Sequence, residues 1–208
     1  MSESARLRIG VLAIQGAWAK HAEVLTTLGV DVREVRNADE LTGLDGLIIG
    51  GGETTTMTKV MLIEGMLDAV AEFGHHHPVM GTCAGMVLMA ESADDPRVRP
   101  FGWIPMTVLR NAYGSQLNSF RDTGKVNGIV GSDEIEMVFI RAPKFGELSD
   151  DVEAIGQCRG DTVIVRYRSH LAMAFHPELT DDNRVHQMWL AQVAAAKRAQ
   201  PSQVPEVS

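Results

Sequence analysis

Pro78-Val79-Met80-Gly81-Thr82-Cys83-Ala84-Gly85-Met86 decides how the rest of the chain is read. An apolar run leads into a tight turn with glycines two residues either side of a cysteine, and a second apolar run with helical character follows. That order of strand, turn and helix is the layout of a nucleophile elbow. Such a turn holds one side chain at the tip of a sheet in a strained backbone conformation. Glycines at 81 and 85 remove the Cβ atoms that would collide where strand and helix pack. Cys83 then sits at a helix N-terminus, where unpaired N–H groups favour a thiolate by roughly 0.3–1 kcal/mol. A glycine-flanked turn around a buried structural cysteine fits the same short pattern, so the elbow reading needs a base elsewhere in the chain.

Phe175-His176-Pro177-Glu178-Leu179 supplies one. A catalytic cysteine needs a base, and the base needs a group to orient it. Positions two apart in an extended segment share a face. Glu178 is therefore expected to reach one ring nitrogen of His176 while the other faces Cys83. Pro177 restricts the pair and favours extended backbone at His176.

Outward from the elbow, the first half alternates in the α/β manner. Residues 7–14, 30–35, 45–49 and 78–80 read as strands, the third ending in Gly50-Gly51-Gly52. Residues 17–28, closed by Gly29, and 54–73 read as helices, the second with Met57, Val60, Met61, Met66, Leu67 and Val70 near helical spacing. This rhythm predicts a parallel sheet with helices on both faces. Ligands of such sheets bind beyond the carboxyl ends of the strands, which brings Gln15, Gly52 and Cys83 to one edge. The second half changes character. Residues 106–110, 116–120, 135–140, 152–158, 162–167 and 171–175 are short strand candidates, which predict an antiparallel extension. A last helix is expected over 181–197, with Asp181 and Asp182 in its first turn. Residues 1–198 read as one domain and 199–208 as a disordered tail.

The chain has 208 residues, of which 45% are hydrophobic and 22% charged, with a net charge of −8. These values fit one globular domain with a full core and argue against a nucleic-acid surface or an anionic membrane as partner. Two distant cysteines make neither a disulfide framework nor a zinc pair, and Cys158, with no elbow around it, reads as structural. No stretch has the ~20 apolar residues of a membrane span, and the apolar run near the start is too short for a signal-peptide core. A free nucleophilic cysteine suits a reducing compartment, so a cytoplasmic location is expected.

Other residues carry weaker signals. The glycines at 50–52 can aim main-chain N–H groups at a ligand and, with the N–H of Ala84, form an oxyanion hole. The same glycines also fit a plain tight turn, and the loop lacks the Gly-Lys-Ser/Thr ending of a phosphate cradle. Arg110 and Arg141 each close an apolar strand. They read as solvated strand ends or as a two-pronged grip on a carboxylate. His75-His76-His77 reads as a solvated helix end rather than a metal tract, and His21 as a surface residue of the first helix.

Taken in order, Gly10-Val11-Leu12-Ala13-Ile14-Gln15-Gly16, Gly51-Gly52-Glu53-Thr54-Thr55-Thr56-Met57, Gly81-Thr82-Cys83-Ala84-Gly85, Arg110-Asn111, Ser119-Phe120, Phe139-Ile140-Arg141-Ala142-Pro143 and Phe175-His176-Pro177-Glu178-Leu179 resemble the glutaminase subunits of pyridoxal 5′-phosphate synthase, a family of class I, triad-type glutamine amidotransferases. The resemblance implies a flavodoxin-like three-layer sandwich whose central sheet is mostly parallel, with an antiparallel extension. It implies Cys83 as nucleophile, His176 as base and acid, and Glu178 as the orienting carboxylate. Gly52, Glu53 and Thr54 would line the L-glutamine site, with Arg110, Ile140 and Arg141 holding the substrate. Ala84 would serve the oxyanion and Gln15 would lie near it at the partner interface. The implied partner is a barrel-shaped synthase subunit that takes the ammonia, and no metal or organic cofactor is implied. The chain departs from the family pattern at Gly50 (commonly proline), Thr54 (commonly serine) and Lys20 (commonly glutamate). On the residues alone, another class I amidotransferase, a related cysteine hydrolase or an inactive interaction protein remain open.

Overall fold

A computed structural model describes residues 6–110 and 119–199. Its strands are β1 (Arg8–Leu12), β2 (Asp31–Val35), β3 (Gly46–Ile49), β4 (Val79–Thr82), β5 (Ala90–Ala93), β6 (Ile104–Leu109), β7 (Ser119–Val126), β8 (Glu134–Ile140), β9 (Lys144–Leu148), β10 (Glu153–Cys158), β11 (Asp161–Tyr167) and β12 (His170–Met173). The helices are α1 (Trp18–Thr27), α2 (Thr54–Ile63), α3 (Leu67–His76), α4 (Ala84–Met89) and α5 (Arg184–Ala199). Nine strands form one sheet in the order β2-β1-β3-β4-β12-β11-β10-β7-β8, and β5, β6 and β9 form a smaller second sheet. The pairings from β2 through β12 are parallel, and those from β12 through β8 are antiparallel.

Burial follows this division. All four residues of β3, of β4 and of β12 are buried, as expected of inner parallel strands covered on both faces. In β7 exposed residues alternate with more buried ones along most of the strand, the pattern of a sheet with one wet face. The antiparallel part curls back on itself. β8 is the last strand in the order, yet Val138 O accepts a 2.8 Å hydrogen bond from the N–H of His176, three residues beyond β12.

Several expectations are corrected. The helix expected over 54–73 is two helices, parted at Gly65 with φ of 64°. Met66 donates to Met61 O at 2.9 Å across the break. Met57, Met61, Met66 and Val70 are all buried, so the apolar stripe runs on through the turn and hides it; the glycine was the only cue. The strand at 106–110 belongs to the second sheet as β6, not to the extension. Its neighbours β5 and β9 went unread, since Ala-Glu-Ser-Ala in β5 carries little strand propensity. The strand placed at 116–120 begins at Ser119 and runs on to Val126; residues 111–118, Asn111 among them, lie outside the described residues. The last helix begins at Arg184, and Asp182 precedes it, its carboxylate accepting from Arg184 N at 3.1 Å. Ala199 ends that helix instead of opening a tail; residues 200–208 are outside the described range. Among the described residues no helix is long and apolar enough to cross a membrane.

Candidate active site

Four parallel strands deliver the site to one edge of the sheet: Gln15 follows β1, residues 50–52 follow β3, Cys83 follows β4 and His176 follows β12. β12 lies beside β4 with Met173 in register with Thr82, so the cysteine and the histidine leave the sheet from adjacent strands. Cys83 holds φ of 52° and ψ of −106°, a region costly for a residue with a Cβ. Its N–H is anchored to Met173 O at 2.9 Å. A Cβ on Gly85 would lie 1.9 Å from Ile49 O, so only glycine lets α4 start this close to β3.

His176 and Glu178 join through Nδ1···Oε1 at 2.6 Å, with both side chains buried. The expected extended segment is absent. Pro177–Leu179 is a single 3-10 turn with proline at its start, a position where the fixed proline φ suits a helix and its missing N–H costs nothing. His176 Nε2 is buried without a closed hydrogen bond among the described residues and faces the sulfur of Cys83. Burial disfavours the imidazolium. The Cys83 sulfur and the Glu178 carboxylate outweigh it and hold the pKa well above the ordinary imidazole value. Burial likewise disfavours the Glu178 carboxylate, and His21 and His176 together overcome that and keep it ionised. Cys83 Sγ also lies 3.7 Å from Ile140 O, which places the end of β8 against the sulfur.

A cleft of about 460 Å³ opens at this point, lined by Gly52, Glu53, Thr54, Cys83, Ala84, Arg110, Ile140 and Arg141 together with Val87 and Pro143. Gln15 sits behind the loop, its Oε1 accepting from the Glu53 N–H at 2.8 Å. The Glu53 carboxylate caps α2, accepting from the N–H groups of Thr55 at 3.2 Å and Thr56 at 2.7 Å and from both hydroxyls. Burial opposes its charge, but these bonds prevail and bring its pKa down to about 2. Arg110 is already engaged by a close ion pair with Asp95 and a 3.4 Å contact with Glu53. Arg141 is exposed at the rim with φ of 45°.

This chain matches the model of the SNO glutamine amidotransferase family over residues 11–195. The chain belongs to that family. It is 42% identical over 189 residues to the pyridoxal 5′-phosphate synthase subunit PdxT of Shouchella clausii, covering 90% of this chain and 96% of that protein. It is 44% identical over 199 residues to the PdxT subunit of Dehalococcoides mccartyi (strain BAV1), covering 93% and 100%. A crystal structure of a glutamine amidotransferase superposes with a TM-score of 0.84 at 38% identity, covering 89% of this chain and 98% of that one. The single-domain α/β fold is thus that of a class I amidotransferase.

Two residues, His21 and Asp95, escaped the sequence reading, and Gly51, read there only as part of the ligand-facing loop, also packs against the base. His21, expected at the surface, is fully buried; the cue was its place four residues before the buried Leu25 on the inner face of α1. Gly51 touches the base, since a Cβ there would lie 2.3 Å from His176 Cε1. Asp95, which holds Arg110, stands in an ordinary acidic turn and gave no signal. Cys158 is buried in β10, where burial pushes its thiol pKa up. The histidine tract closes α3: His76 pairs with Glu72 at 2.9 Å and His77 stacks on Phe73 at 4.4 Å.

Proposed function

We propose that this chain is the glutaminase subunit of a pyridoxal 5′-phosphate synthase, hydrolysing L-glutamine to L-glutamate and passing the ammonia to a synthase subunit. The observation that carries the reading is the strained Cys83 beside a buried His176 whose far nitrogen is held by Glu178 at 2.6 Å, in a chain 42% identical to a PdxT subunit over nearly its whole length. The Cys83 sulfur attacks the side-chain amide carbon of glutamine. The oxyanion is met by main-chain N–H groups, that of Ala84 and one from the loop at Gly52, each worth about 3–4 kcal/mol of barrier. The N–H of Glu53 is turned to Gln15 instead. The C–N bond breaks as His176 gives its proton to the departing ammonia. Neutral His176 then takes a proton from water, which hydrolyses the thioester to glutamate and restores the thiol.

Arg141 and the carbonyl of Ile140 grip the amino-acid end of the substrate from one side, and Arg110 from the other. Arg110 must share its charge between Asp95, Glu53 and the incoming carboxylate. Lys20, on the exposed face of α1, is paired with Glu23 at 2.7 Å, so the charge reversal at this docking face is partly neutralised locally. Ammonia lost to water is protonated and useless as a nucleophile, so a synthase subunit seated over the mouth protects the product. The free thiol of Cys83 suits a cytoplasmic setting.

Glutamate release from glutamine, measured with and without the synthase subunit, tests the reading. The native chain is expected to turn over, faster with the subunit, and Cys83→Ala to lose at least about 10³-fold. Equal turnover by Cys83→Ala removes the proposed nucleophile, and no turnover by the native chain under either condition favours a binding role.

A further inference from the structure

Behind the triad lies a second layer of buried histidine that the hydrolytic steps leave unused. His21 on α1 and His186 on α5 are both fully buried, although they are 165 residues apart in sequence and their rings meet with Nδ1 of His21 3.0 Å from Nε2 of His186. The other edge of His21 faces the catalytic machinery. Its Nε2 is 3.2 Å from Thr82 Oγ1, on the residue before the nucleophile, and 3.4 Å from Glu178 Oε2. Glu178 Oε1 is taken by His176, and Oε2 is buried with no closed hydrogen bond among the described residues. His21 thus reaches the one oxygen of the triad carboxylate that His176 does not use.

The proton positions follow from chemistry. A carboxylate only accepts, so the proton on the inner edge of His21 belongs to Nε2. Nδ1 is then an acceptor and takes the N–H of His186 Nε2. That leaves His186 Nδ1 unprotonated, and it is a buried atom with no partner among the described residues. A bare neutral acceptor ends the chain without a charge, whereas an imidazolium there would cost far more. Burial disfavours a charge on either ring, and the net effect lowers the pKa of both.

We infer that His21 is a positioning residue for glutamine hydrolysis, its Nε2–H bonded to Thr82 Oγ1 on the elbow strand at 3.2 Å and directed at Glu178 Oε2 3.4 Å away, so that it limits the rotation of the triad carboxylate. The inference rests on the triad reading above. Without the contact at Oε2, the carboxylate can swing about its terminal torsion and the His176 ring loses its fixed plane. A misplacement of ~1 Å in such a unit costs on the order of 10²-fold in rate. His21 touches neither substrate nor sulfur, so the loss falls on kcat and leaves KM in place.

Two isosteric substitutions separate positioning from packing. In His21→Gln the amide reaches the place of Nε2 and can still donate to Glu178. In His21→Asn the amide reaches only the place of Nδ1, keeping the contact with His186 and losing the one with Glu178. Each variant is assayed as full chain with the synthase subunit, with thermal melting measured in parallel. His21→Gln is expected to keep kcat within about threefold, and His21→Asn to lose about 10–100-fold in kcat with KM within twofold. Two variants that behave alike, whether both active, both inactive or both unfolded, overturn the inference in favour of a purely structural histidine, as does a loss confined to KM. Failure of the triad reading is distinguishable, because it appears as glutamine turnover by Cys83→Ala.

Discussion

The two halves of the large sheet contribute to the cleft by different means. In the parallel half, from β2 to β12, each contributing residue lies just past the end of its own strand, so a local turn suffices to place it. Cys83 and the 50–52 loop are held there by short-range geometry. In the antiparallel half, Ile140 ends β8, the strand at the far edge of the sheet, and Arg141 follows it. They arrive only because the sheet curls until β8 bonds the chain beyond β12. The parallel half therefore holds the reacting groups rigidly, and the antiparallel half closes a wall over them. Chemistry should be lost by damage to the first, and substrate affinity by damage to the second.

The largest expected effect lies in the parallel half. Glu178→Gln keeps the shape of the buried side chain but removes the charge that orients His176, and kcat should fall about 10³-fold or more with the melting temperature little changed; steady-state glutaminase kinetics with the synthase subunit would read it. Gly51→Ala comes next. Its Cβ would press on His176 Cε1 at 2.3 Å, so kcat should drop on the order of 10²-fold through displacement of the base. Arg141→Ala, at the β8 wall, should raise KM about 10–150-fold, the loss of one charge-assisted contact of roughly 1.5–3 kcal/mol, and spare kcat. A kcat loss for Arg141→Ala as deep as that for Glu178→Gln would erase the division between the halves.

The last expected effect falls on stability rather than on rate. His170 in β12 and His186 on α5 are buried, and their pKa values are lowered to about 4 and about 3, burial being the main cause. The unfolded chain takes up protons near the ordinary histidine value of about 6.5, and the native state refuses them until much lower pH. The contribution of these two groups is therefore full above about pH 6.5 and falls as pH drops toward 4 and 3, by up to about 1.4 kcal/mol per pH unit for each group. His176 moves the other way and is protonated in both states across this window, so it does not offset the loss. Hydrogen exchange at pH 5 against pH 7 should show the weakening first around β4, β12 and α5. A uniform change over β7 and β8 would contradict that assignment.

The elbow was legible because strand, glycine, cysteine, glycine and helix are all set within nine residues, where backbone sterics alone choose the turn. His176 and Glu178 were legible as a pair, but the turn that joins them was not: an extended segment and a 3-10 turn both bring positions two apart into contact here, and the proline permits either. The break at Gly65 was masked by an apolar stripe that runs through it. His21 was misread because a lone histidine beside Lys20 and Glu23 resembles a surface residue, and the helical spacing to Leu25 was the cue against it.

By itself, then, the sequence determined the α/β rhythm, the nucleophile, its base and the order in which the site loops occur, since these follow from local pattern and turn chemistry. Tertiary structure decided that β12 lies against β4, that β8 folds back over the cleft, and that two histidines from α1 and α5 meet behind the triad carboxylate. Those outcomes depend on strand pairing and burial between segments far apart along the chain, where no local preference of the backbone selects the partner.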